Sequence, residues 1–237
     1  METNICRNCK EPVIGNYCSN CGQPAKLKRI DKYYIIQEIG DFFFANKGMV
    51  YTIKNVLISP GDSVRQFITE DRYRFVKPIT FLFITALIYA LVSTQFNVKT
   101  SNYDGPEGVI SVIMNWLIGN PGYLNTIIVL FVAFWIKIFF KKAGYNFFEI
   151  VILLCFVFGI TTLFDSVAIF FQGITHLNLI QTSMSIGVIY ATWAIGQFFD
   201  KKRAASYTKA FLSYLLGVLT LGFLIAVAAI IETVIIL

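Results

Sequence analysis

VKPITFLFITALIYALVSTQF, residues 76–96, decides the fold class. Its one charge is Lys77, at the start, and about 20 apolar residues are what a helix needs to cross the hydrocarbon of a bilayer. No water is present there to satisfy backbone N–H and C=O groups, so a crossing segment must bond them to itself as a helix. Four further windows share the pattern: 123–140, 147–171, 179–199 and 210–237. The window 179–199 is the least apolar of the five, carrying Gln181, Thr182, Ser183, Ser185 and Gln197. The chain therefore reads as an all-α membrane protein, with a bundle of about five transmembrane helices over residues 76–237.

Composition agrees. Hydrophobic residues make up 56% of the 237 and charged residues 14%, against about a quarter charged in soluble domains. The first 30 residues contain cysteines and charges but no apolar core, so no signal peptide is expected and the first span directs insertion.

The Lys/Arg positions test the span assignment independently. Twelve precede the first span, from Arg7 to Lys77. Lys137, Lys141 and Lys142 lie at the turn between spans two and three, and Lys201, Lys202, Arg203 and Lys209 between spans four and five. Lys99 alone falls on the other face. Cation-rich loops stay in the cytoplasm, which places the N-terminus inside and the C-terminus outside, in the inner (cytoplasmic) membrane of a bacterial cell. The net charge of +6 is then spent on orientation and contact with lipid headgroups, not on nucleic acid. A sixth apolar stretch, VISVIMNWLIG at 109–119, is too short to span; it is expected as an interfacial helix on the outer face, with re-entry into the bilayer as the alternative.

At the N-terminus, Cys6-x2-Cys9 and Cys18-x2-Cys21-Gly22 present four thiols as two CxxC pairs. Tetrahedral zinc takes four soft ligands, and a set with no open position makes the ion structural. Gly22 lets the backbone turn back towards the sulfurs, and Pro12 and Gly15 suit a hairpin between the pairs. Two disulfides do not fit a reducing cytoplasm. Residues 1–25 are thus expected as a zinc ribbon, with Zn2+ held by Cys6, Cys9, Cys18 and Cys21.

Residues 26–75 are expected as amphipathic juxtamembrane helices. Tyr33-Tyr34-Ile35-Ile36, Ile39 and Phe42–Phe44 alternate with polar residues, and Met49, Val50, Ile53, Val56 and Leu57 recur at helical spacing. Ser59-Pro60-Gly61-Asp62 reads as a helix start, with Ser as N-cap. Arg72, Arg74 and Lys77 are expected at the headgroups.

The ribbon, CxxC…YCSNCGQ, resembles that of an uncharacterised bacterial membrane-protein family classed only as a domain of unknown function. The resemblance continues through Pro60-Gly61-x-x-Val64-Arg65-x-Phe67-Ile68 and Asp71-Arg72-Tyr73-x-Phe75-x-Lys77-Pro78 and covers roughly the first 95 residues. Where that family often carries Gly-Lys-Arg after Phe-Ile, this chain has Thr69-Glu70-Asp71-Arg72 and matches only at the arginine. A fainter similarity of layout, on Gly144-Tyr145-x-Phe147-Phe148-Glu149, links it to Yip-type five-span proteins. These resemblances imply a fold and no reaction.

A charge at the centre of a membrane helix costs about 2.5–3.5 kcal/mol on insertion scales, so each one needs a reason. Asp165 is the deepest, and reads either as a proton- or ion-coupling carboxylate or as a hydrogen-bonded acid facing Ser183, Thr182 or Gln181. Lys137 and Glu149 are expected to pair across the hairpin between spans two and three, Glu232 to be solvated near the outer interface, and His176 to be a loop residue. Gly159, Gly187, Gly196, Gly217 and Gly222 can serve close helix contacts. No HExxH, Walker loop, nucleophile elbow or dinucleotide turn occurs, so no enzyme is expected. What remains is a membrane-anchored interaction or scaffold protein whose ribbon recruits a cytoplasmic protein. The alternative is a small transporter or channel with Asp165 in the pathway, where assembly as a homo-oligomer would compensate for the lack of an internal repeat.

Overall fold

The computed structural model describes residues 4–25, 48–96, 105, 108–175 and 177–236. Among them a short hairpin, β1 (Asn4–Ile5) and β2 (Pro12–Val13), precedes eight α-helices. These are α1 (Met49–Ile58), α2 (Pro60–Thr69), α3 (Pro78–Phe96), α4 (Val109–Gly119), α5 (Pro121–Phe139), α6 (Phe147–Thr175), α7 (Ile180–Asp200) and α8 (Ala204–Ile236). The segment 26–47, with Tyr33 to Phe44, lies outside the described residues, as do Lys99 and His176.

α3, α6 and α8 are each long and apolar enough to cross a membrane, and α4 with α5 makes a fourth if that pair, bent by 97°, is one span. α7 does not join this set, being less apolar: Gln181, Thr182 and Ser185 are exposed, while three of its other polar side chains bond inward. Ser183 bonds α6, Gln197 bonds α2, and the Tyr190 hydroxyl donates to the Val56 carbonyl at 2.9 Å. Two helices outrun their hydrophobic windows: α6 continues to Thr175 and α8 begins at Ala204. Leaving hydrocarbon does not end a helix when neither proline nor a capping residue interrupts it.

The core is centred on α6, which packs against α3, α5 and α7. Two thirds of its apolar window (67%) is buried inside the protein, against 28% for α3 and 11% for α8, so α6 is the hub and α8 the most exposed of the three.

Beneath this bundle α1 and α2 form a platform. Val64, Phe67 and Ile68 point inward, and Phe67 and Phe75 meet Phe156 of α6 edge to face at 5.4 and 6.3 Å, with Phe81 at 5.7 Å from the same ring. Pro60 occupies the first turn of α2, but the Ser59 hydroxyl makes no cap bond. The side-chain oxygen of Gln197 accepts the Gly61 N–H instead, at 2.7 Å, and Arg65 donates to the Phe198 carbonyl at 3.0 Å. Asp62 pairs with Arg65 and Lys201, and its carboxyl is held below the usual range by the Arg65 hydrogen bond first and by the charges of Arg65 and Lys201 next.

The Lys141–Lys142 turn is stapled to the same end, Phe140 stacking on Phe199 at 3.9 Å and Tyr145 lying 4.5 Å from Phe198. Platform and both basic turns therefore share one end. At the other, Glu232 of α8 accepts the Val109 and Ile110 N–H groups and caps α4. A carboxylate at a helix N-terminus meets both the orphan donors and the positive end of the dipole, so Glu232 is engaged and not merely solvated.

Of the glycines expected at helix contacts, Gly159, Gly196 and Gly217 are in tight ones. Gly187 has ordinary clearance, and nothing stands within 4 Å of a Cβ built on Gly222. Gly61 makes a close backbone approach to α7, where a Cβ would lie 2.5 Å from the Gln197 carbonyl carbon and the Phe198 nitrogen. Neither atom can swing away as a side chain could. Gly61→Ala is expected to destabilise the bundle by about 1–3 kcal/mol, whereas Gly222→Ala leaves stability unchanged. Thermal unfolding of the two variants in one detergent checks the contrast.

Candidate metal centre

Each CxxC pair in the ribbon is closed by a backbone turn. In the first, the Cys6 N–H donates to the Glu11 carbonyl (2.8 Å) and the Lys10 N–H to the Cys6 carbonyl (3.0 Å); in the second, Cys18 and Gly22 repeat this with Gln23 and Cys18 at 2.7 and 2.8 Å. Strands β1 and β2 flank the first pair, Ile5 opposite Pro12, and a Tyr17–Pro24 bridge flanks the second. The hairpins thus lie around the pairs: Pro12 is part of the first one, in β2, while Gly15 belongs to the link between them.

The residue after each pair takes a positive φ: 74° at Gly22 and 65° at Lys10. Glycine does this freely, while a residue with a Cβ pays about 1–2 kcal/mol. Gly22 announced its turn in the sequence. Lys10 did not, although its position in the repeat is the same.

The four Sγ atoms all lie within 4.8 Å of one another, with 3.5 Å for both Cys6–Cys21 and Cys9–Cys18, and every cysteine is free. Thiolates held about 2.3 Å from a tetrahedral ion stand about 3.8 Å apart, so this cluster can hold a metal with little movement. Its electrostatics ask for one. The Cys9 backbone N–H, more than any other group, lowers the Cys6 thiol to about 6, and the Cys21 N–H likewise lowers Cys18. At Cys21 the Gln23 N–H pulls down, but burial and the three neighbouring thiols outweigh it and push the group up to about 11. Four sulfurs this close cannot all ionise unless a cation shares their charge.

The ribbon is seated on the platform by residues of the pairs themselves. Arg7 donates to the Thr69 carbonyl at 2.7 Å, and Arg74 donates to Asn8 twice, to Oδ1 at 2.9 Å and to the backbone oxygen at 3.2 Å. Gln23, buried against the Cys6 sulfur at 3.9 Å, donates to the Glu70 carbonyl at 3.0 Å. Arg74 also pairs with Asp71, which is buried and accepts the Tyr73 N–H. Arg74 therefore belongs to the seat and not to the headgroups. The sequence offered no signal for this, since 66 residues separate Arg74 from Asn8.

Asp165, Lys137 and Glu149 each bond a different partner. Asp165 accepts the Ser183 hydroxyl at 2.7 Å, joining α6 to α7. Lys137 donates to the Tyr145 carbonyl at 2.6 Å, and Glu149 and Asn146 exchange side-chain-to-backbone bonds at the start of α6. That reciprocal pair is a capping box, and Asn146-x-x-Glu149 was its sequence signal. Cys155 is buried on α6, away from the ribbon.

A family model described as protein of unknown function (DUF3667) matches residues 46–90. The matched stretch is the platform and the first part of α3, and it begins after the ribbon. No curated protein and no solved structure matches the chain, and none of the comparisons shows a Yip-type likeness.

The two positive-φ positions give opposite expectations. Lys10→Gly removes strain at the cost of some unfolded-chain entropy, for a net gain of about 0.5–1 kcal/mol and metal affinity about two- to fivefold higher. Gly22→Ala introduces the strain and weakens binding about five- to thirtyfold. Competition titration of the full-length protein against a chelating dye measures both.

Proposed function

We propose that the chain is a membrane-anchored interaction protein whose ribbon, folded around structural zinc, presents a surface to a cytoplasmic protein partner. Four thiolates in CxxC pairs suit zinc, and a full set of protein ligands leaves no position for a substrate or water, so the ion holds shape instead of doing chemistry. Five passes through the inner membrane go with this. α5 and α7, at 19 and 21 residues, are each long enough to cross about 28–32 Å of hydrocarbon, and Ser183 and Gln197 of α7 are bonded to α6 and α2. Platform and basic turns at one end then mark the cytoplasmic side.

The observation that carries the proposal is the division of the ribbon's surface. Arg7, Asn8 and Gln23 bond the platform, while Ile5, Ile14 and Tyr17 stand exposed, Ile14 completely. Three exposed apolar side chains on so small a module, none of them used to bond the platform, suit contact with a partner.

The test is recovery of crosslinked protein from cells, comparing the native chain with Ile14→Asp and with a chain lacking residues 1–25. A partner held by the native chain and lost from both variants, with metal content unchanged in Ile14→Asp, is the expected result; the same proteins recovered from all three sink the proposal. Ion flux in proteoliposomes that Asp165→Asn abolishes would replace it with a small transporter.

A further inference from the structure

We propose that the metal site is a clasp: metal binding seats the ribbon on the platform, and metal loss releases the ribbon and uncovers the platform edge from Thr69 to Arg74. The inference rests on the four cysteines being metal ligands and adds that their occupancy controls where the ribbon sits.

Three observations carry it. The seat contacts come from inside the metal-binding turns. Arg7 and Asn8 are the two residues between Cys6 and Cys9, and Gln23 follows the Cys21-Gly22 turn while touching the Cys6 sulfur. Any change that opens those turns moves all three residues off their partners.

The ribbon has almost no core of its own. Among its described residues Cys6, Cys18 and Gln23 are buried, and its regular pairing is one two-residue hairpin and one isolated bridge. A module this small, with sulfurs at its centre, folds with its metal and unfolds without it.

The other half of the joint does not depend on the ribbon. Thr69, Glu70 and Arg74 belong to a segment held from above by buried Phe67 and Phe75 against Phe156, and Arg74 keeps its ion pair with Asp71 at 3.2 Å. Metal loss therefore leaves the platform standing with the Thr69 and Glu70 carbonyls and one face of Arg74 turned to the cytoplasm. The coupling is reciprocal: whatever binds that edge in place of the ribbon weakens metal binding by the same factor.

The experiment uses the full chain in lipid nanodiscs, with dyes attached through non-cysteine chemistry at Ile14 and at Lys142 on the basic turn, and reads the distribution of their separation. With zinc added the distribution is narrow; after chelation under reducing conditions it lengthens and its width at least doubles, and fresh zinc restores it. Arg7→Ala with Asn8→Ala retains one metal per chain but shows the broad distribution even when loaded. A narrow distribution that survives chelation, or a loaded double variant as narrow as the native chain, overturns the clasp and leaves the metal site intact. A native chain that takes up no metal overturns the metal reading itself.

Discussion

The packing of Phe67 and Phe75 against Phe156 fixes everything at the platform end of this protein. Phe156 lies on the hub helix, with Phe81 of α3 against the same ring. Burying each ring is worth about 1.5–3 kcal/mol, more than the edge-to-face geometry adds at about 0.5–1.5 kcal/mol per pair. Burial therefore holds the platform up, and the ring geometry selects one arrangement. Polar contacts then set the register. Gln197 on the Gly61 N–H, Arg65 on the Phe198 carbonyl and Tyr190 on the Val56 carbonyl each tie a platform group to α7. Each is also an orphan group at or near a helix end that water would otherwise have to satisfy.

Helix positions could be read in the sequence because the hydrocarbon constraint acts on each window by itself: a run of apolar residues must be helical whatever its neighbours do. The four cysteines were legible for a similar reason, their spacing being local. Helix ends were less so, as α6 and α8 show by running past their apolar windows. The partners of Gln197, Arg74 and Glu232 were not legible at all, since they lie 136, 66 and 123 residues away. A polar residue in an apolar run announces that it needs a partner but not which one. Glu149 differs in that its partner Asn146 is three residues away in a local capping pattern, a signal that the expectation of a pair with Lys137 passed over.

Asp165 shows how the bundle absorbs polarity. Ser183, itself buried, donates to it from α7, and one turn earlier on α6 Thr162 is bonded by Asn125 of α5 at 3.0 Å. Polar side chains on three helices thus meet one another inside the protein, where a hydrogen bond between helices replaces a group facing lipid. The same economy accounts for Ser183 on α7, while Gln181, Thr182 and Ser185 of that helix are exposed.

The ribbon and the platform differ in what holds each in place. Zinc binding to small cysteine modules is worth about 10–16 kcal/mol at neutral pH, whereas each seat hydrogen bond contributes about 0.5–1.5 kcal/mol net. A metal bound there would therefore be able to fold the ribbon unaided, leaving the four bonds that involve Arg7, Asn8 and Gln23 to choose where it sits. A joint built from these few contacts between a cysteine-centred piece and a ring-packed piece is the weakest link between the two.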